Sequence, residues 1–262
     1  MSIPGSFLAS AEAYSQLYEV RVLTSHGARL TSEHIQFRQG QMIEVHMPKS
    51  VMDVPPPGGP ISAVRLGHKP GKAARKLFRE ASSLAAKGNL TESAVRIEQA
   101  VAADPNWFEA WNNLGGRRLA LSQFSEAAEA FRHALSIDPN NATVHSNLGL
   151  AQLFLRQPLE AEESARRALK LDPGAPRASY VAGMALLQQN KRIDEALEAL
   201  GQSSKAVPRA LLAMAEWQCR NQNPGACETE LKTFLKTPRG PNHEAAETWL
   251  KRVKQHRKEH RE

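Results

Sequence analysis

Few residues of this 262-residue chain are of a kind, or stand at intervals, that chemistry needs. His256 and His260 stand four apart, which on a helix places two imidazoles on one face, as in half of a metal site. No third ligand lies near them, and Lys254 to Glu262 carries no apolar residue, so a solvated tail is expected there. Cys219 and Cys227 flank one turn. A disulfide across that turn is geometrically conceivable. Two reduced structural thiols are expected instead, unless the protein is exported. Gly115-Gly116 is a glycine pair with no strand before it and reads as helix packing. His26, His34 and His46 have no acid or nucleophile arranged with them. The chain has no P-loop, no H-E-x-x-H and no G-x-S-x-G. No catalysis, cofactor or bound metal is expected.

The supporting framework is more legible. Asp104-Pro105, Asp138-Pro139 and Asp172-Pro173 recur at 34-residue steps, and Val207-Pro208 follows after 35, which places one inserted residue at the turn Gln189-Asn190-Lys191. Proline cannot continue a helix, so each pair ends one helical segment and opens the next. Between Pro105 and Pro139 stand Trp111, Leu114, Gly115, Ala127, Phe131 and Ala134. The next interval repeats them as Leu148, Gly149, Ala161 and Ala168. The flanking intervals carry Leu77, Ala81, Ile97 and Ala100, and then Ala182, Gly183, Ala196 and Leu200. A fifth, degenerate interval runs from Ala210 to Leu235, with Asn223-Pro224 as a cap and first helical residue.

These residues resemble the tetratricopeptide pattern W-x₂-L-G…A-x₃-F…P. The resemblance implies a mainly α chain, a right-handed α-solenoid of helix hairpins at about 72–105, 106–139, 140–173, 174–208 and 209–241. Residues 242–262 read as a capping helix, started by Asn242, that frays into a basic tail beyond Val253. Gly88-Asn89 ends the first helix, and Thr91 is placed to cap the second. Residues 1–66 are different. Tyr18 to Val22, Ile35 to Arg38, Ile43 to Met47 and Ile61 to Leu66 alternate or run apolar like short strands, with a hairpin from His34 to Met47 around Gly40. Val54 to Pro60 is a stiff linker or a surface loop within the linker region 54–71. A small β module ahead of repeats resembles exported bacterial proteins that carry a carboxypeptidase-regulatory β-sandwich. On that resemblance Met1 is an internal start. The N-terminus itself has no signal-peptide pattern, so a cytoplasmic location is the default expectation.

The formal net charge of +7 is spread thinly along the chain, whereas nucleic-acid binding wants a concentrated basic footprint. No apolar run approaches the roughly 18 residues of a membrane span. The resemblance therefore implies non-catalytic binding of a protein or peptide on a concave face lined by the first helix of each hairpin. Its groove positions fall on Phe78, Glu109, Asn112, Ser146, Arg177, Tyr180, Met184 and Trp217 among others. Phe78, Asn112, Ser146, Arg177, Tyr180, Met184 and Trp217 are the expected partner contacts. Leu150, Leu153 and Leu187 fit the groove and the core equally. The carboxylate clamp of chaperone-binding arrays is not expected, since only Asn113 fits from the first repeat, and Asn147 and Arg177 from the second. The alternative is RNA or polyanion binding through Arg117, Arg118 and the tail from Lys251 to Arg261. Repeat arrays also self-associate through an exposed terminal face.

Overall fold

The structure is a computed structural model. It describes the backbone of residues 17–23 and 29–36, and residues 65, 67–240 and 242–259 in full. Strands β1 (Leu17–Leu23) and β2 (Arg29–Gln36) pair antiparallel, with Leu17 opposite Gln36 and Val20 opposite Glu33. β1 covers the expected run at Tyr18. β2 starts six residues before the expected run at Ile35, because Arg29 to His34 holds a single apolar residue, Leu30, and so shows no apolar alternation. The expected hairpin beyond Gln36, the run at Ile43 and the Pro-rich segment lie outside the described residues. Of the expected strand Ile61 to Leu66 only Arg65 is described, and its backbone is helical.

Eleven helices follow among the described residues. They are α1 (Lys72–Ala86), α2 (Leu90–Ala103), α3 (Phe108–Ala120), α4 (Phe124–Ile137), α5 (Ala142–Phe154), α6 (Pro158–Leu171), α7 (Pro176–Gln189), α8 (Ile193–Ser203), α9 (Arg209–Arg220), α10 (Pro224–Leu235) and α11 (His243–Glu259). The Asp-Pro pairs directly follow α2, α4 and α6. Each hairpin turn needs one residue in the left-handed region, and Gly88, Ser122, Arg156 and Asn190 supply it at 34-residue intervals. In the fourth hairpin Arg192 is left-handed as well, and α8 starts one residue late. The insertion therefore sits in the expected turn, on the α8 side of Asn190. Thr91 does not cap α2. That helix begins at Leu90, two residues earlier than a Thr91 cap allows, and Asn89 takes the cap position. Asn223 does cap α10, accepting from the Ala226 amide at 3.2 Å, with Pro224 next.

The residues divide into two compact units, 1–148 with 170–172, and 149–169 with 173–262. In the first, Ala74, Ala81, Ile97, Ala100, Trp107 and Leu114 form a buried cluster. Equivalent positions of two successive repeats each close the preceding loop. Trp111 Nε1 donates to the Pro105 carbonyl at 2.7 Å, and His145 Nε2 lies 2.9 Å from the Pro139 carbonyl. In the second unit Leu153, Ala161, Val181, Ala185 and Leu200 form one cluster. Leu211, Cys227, Leu231, Phe234 and Val253 form another.

Small residues set the helix spacing, as the repeat pattern implies. A Cβ on Gly115 would meet the Phe131 ring at 2.5 Å, and one on Gly183 would meet the Ala196 carbonyl oxygen at 2.7 Å. Gly116 faces nothing within 4 Å. Alanine at these two adjacent positions should therefore act in opposite directions. Overpacking costs about 1–3 kcal/mol against a ~1 kcal/mol helix gain, so Gly115→Ala should lose up to about 2 kcal/mol. Gly116→Ala should gain about 0.5–1 kcal/mol. Urea midpoints of the two variants check the signs, and two shifts of the same sign would contradict the packing argument.

The last helix differs from expectation. It does not fray at Val253 but continues to Glu259, because Arg257 pairs with the buried Glu228 of α10, which also takes Lys232 at 2.7 Å. The hydrogen bond from Lys232 lowers the Glu228 carboxyl below the ordinary range. Burial opposes this, and the Arg257 bond and the two positive charges add to the lowering. A carboxyl with a depressed folded value contributes stability above its unfolded value, about 4.3, and loses it as pH falls through the folded value. Protection of the α11 amides, taken relative to their intrinsic exchange rate at each pH, should thus fall below about pH 4.3, and Glu228→Gln should show the same fall at pH 7. An α11 equally protected in that variant at pH 7 would remove the clamp.

Candidate functional site

The expected contact residues take different places within their own units. In the first unit Phe78 is half-buried and packs on Trp107, ring centroids 4.6 Å apart. Asn112 is half-buried, and its Oδ1 is a buried acceptor without a hydrogen bond among the described residues. Ser146 is 2% exposed and donates back to the Ala142 carbonyl at 2.9 Å. In the second unit Tyr180 is 8% exposed and sits in the cluster with Leu153 and Val181. Burial pushes its hydroxyl up, and the Arg209 charge and hydrogen bond only partly counter that. Ser146 and Tyr180 are therefore not presented to a partner. Residues 144–149 of α5 and 178–183 of α7 are buried without a break, all round the helix, which a count along the repeat does not register. Met184 and Leu187 are half-exposed over the same cluster, Leu150 likewise, and Trp217 is half-exposed on α9. Arg177 is exposed.

Three of the arginines named for polyanion binding are engaged within the protein, while Lys251, Arg252, Lys254 and Lys258 of the tail are exposed. Arg118 pairs with Glu98 and donates to Gln123 at 2.5 Å. Arg117 Nε donates to Ser93 Oγ at 3.3 Å, and Arg257 is held by Glu228. The Glu98 and Glu228 carboxylates offset the charge of Arg118 and Arg257 towards a phosphate, whereas the Ser93 hydroxyl leaves that of Arg117 in place. Nothing here supports the polyanion reading. His260 lies outside the described residues, and no group of three metal-ligating side chains occurs among the described ones.

Sequence reasoning missed a polar site in the first unit. Arg65, seven residues ahead of α1, donates through Nε to Glu109 Oε1 at 2.9 Å and through Nη1 to Asp138 Oδ2 at 3.3 Å. Its guanidinium lies 4.1 Å over the Phe108 ring. Asp138 is 1% exposed, and its other oxygen, Oδ1, is buried without a hydrogen bond among the described residues. Asp104, the equivalent residue one repeat earlier, accepts from the Gly71 amide at 3.1 Å and lies 3.0 Å from His68 Nε2. The signal was present in the 34-residue recurrence of Asp before Pro, which reads as punctuation until a cation is seen on it.

Comparison with known proteins agrees with the hairpins. A family model described as TPR repeat matches residues 117–153, and one described as Tetratricopeptide repeat matches residues 146–214. No curated relative matches the chain. Among solved structures, a thermophilic TPR protein of Thermus thermophilus is similar at TM-score 0.56 and 18% identity, covering 69% of this chain and 98% of that one. PilW, a type IV pilus biogenesis factor, is similar at TM-score 0.56 and 23% identity, covering 63% and 77%. MamA from Desulfovibrio magneticus is similar at TM-score 0.56 and 16% identity, covering 64% and 96%. At these identities the likeness is one of fold.

Proposed function

Because residues 117–153 and 146–214 match tetratricopeptide repeats, we propose that this protein is a non-catalytic interaction scaffold that binds a protein or peptide partner on the first helices of its hairpins. Proteins with these repeats generally serve as interaction scaffolds. The observation that supports the finer reading is the state of the groove positions in the second unit. Leu150, Met184, Leu187 and Trp217 are apolar and remain half-exposed, where Tyr180 beside them is buried. Half-exposed aromatic and aliphatic side chains on helices are the anchors that peptide recognition uses. Arg177 is exposed on the same helix as Met184 and adds a cation at its start.

The test is capture of partners by tagged full-length protein from its own cells, at low and at high salt, read by mass spectrometry. A protein partner that survives high salt and is lost with Met184→Ala plus Trp217→Ala is the expected result, since apolar contacts are not screened. The double variant should fold, because neither side chain is fully buried. A partner retained by it would place binding elsewhere. Nucleic acid that leaves at high salt, with no protein partner, would sink the reading.

A further inference from the structure

We propose that Glu109, Asp138 and Phe108 form a binding site for an arginine side chain, which Arg65 occupies in cis and an arginine-bearing peptide partner takes in trans. The chemistry of the three groups is selective. Two carboxylates at the edge and an aromatic ring on the face match a planar, delocalised cation with donors in its plane. Both carboxylate contacts and the ring contact are made by one guanidinium. A lysine ammonium is a point charge and cannot lie flat on Phe108 while donating to both carboxylates.

The site is built into the repeats. Phe108 and Glu109 are the first two residues of α3, and Asp138 follows α4. Asp138 is nearly fully buried, yet its Oδ1 lacks a donor among the described residues. A buried carboxylate with an unfilled acceptor is costly unless a donor arrives. Arg65 supplies Asp138 through one nitrogen only, and Glu109 through another. A free arginine with no backbone tether can turn to present two donors to Asp138.

The occupant in cis reaches the surface. Its side chain is 25% exposed, and Glu109 is 44% exposed. Other ties of this segment include His68 and the Gly71 amide, both on Asp104. A tethered ligand lowers the apparent affinity of a competitor by the fraction of molecules in which the site is open.

This inference rests on the scaffold reading for its natural partner. A peptide probe tests the site apart from that reading, because the captured partner is assayed on Met184 and Trp217 instead. The experiment titrates acetyl-Gly-Arg-Gly-amide, and the lysine analogue, into full-length protein followed by NMR of the Trp107 and Trp111 indoles. Arg65→Ala should bind the arginine peptide at least about tenfold more tightly than the wild type, with the lysine analogue far weaker. Arg65→Gln, which keeps a stem over Phe108, should behave in the same direction if Arg65→Ala folds poorly. Glu109→Gln in either background should lose the gain. Equal affinity of wild type and both Arg65 variants, no binding to any of them, or equal binding of the lysine peptide would each overturn the proposal.

Discussion

Phe131→Ala should lower the stability of the protein by about 3–5 kcal/mol, the usual cost of emptying a buried aromatic site. Phe131 heads the fully buried side chains among the described residues, and its ring lies against the bare Cα of Gly115. Truncation leaves a hole facing a glycine, which has no side chain with which to fill it. Ala127, Ala130 and Ala134 on the same helix are equally buried and equally short. The site therefore cannot collapse easily, and the cost belongs at the upper end. Total stabilities of about 5–15 kcal/mol make this a large fraction. Repeat stability is a sum of local terms, so exchange protection should fall most in α3 and α4. Urea unfolding with an unchanged slope reads the loss. A cost under about 1 kcal/mol, against the expected range for buried aromatics, would mean that the ring is not packed as described.

Opening the Cys219–Cys227 bond should destabilise the fifth hairpin by about 2–3 kcal/mol, by the chain-entropy relation for so short a loop. The two cysteines are eight residues apart, and their Cα atoms are 5.3 Å apart. Cys219 lies in the last turn of α9 and Cys227 in the first turn of α10, so the bond staples two antiparallel helices at their turn. This corrects the expectation of two free thiols. Sequence spacing left both states open, and only the approach of the two helices puts the Cα atoms within bonding range. Cys227 is fully buried and Cys219 half-exposed, so reductant reaches the bond from the Cys219 side. Hydrogen exchange with and without reductant checks the prediction. Protection should fall in α9 and α10, and stay unchanged in α1 to α4. Cys219→Ser should reproduce the reduced state, whereas identical exchange in both states would show that the bond contributes nothing.

The hairpins were legible from the amino-acid order alone. Proline at 34-residue steps, small residues where helices meet and apolar residues at helical spacing are local and periodic constraints, and local constraints can be read without coordinates. The inserted residue near Asn190 and the cap at Asn223 were legible for the same reason. Features that need two distant segments in one place emerged only from the packed chain. Tyr180 and Ser146 carry the repeat numbers of groove residues, but both are buried. Lys254 to Glu259 reads as a polar tail until Glu228, 29 residues before Arg257, pairs with it and holds the helix. Arg65 is an ordinary cation in an apolar run until Glu109 and Asp138, 44 and 73 residues away, close on its guanidinium. Charge pairs at such separations leave no period in the sequence, because the fold alone sets which carboxylates a given arginine meets.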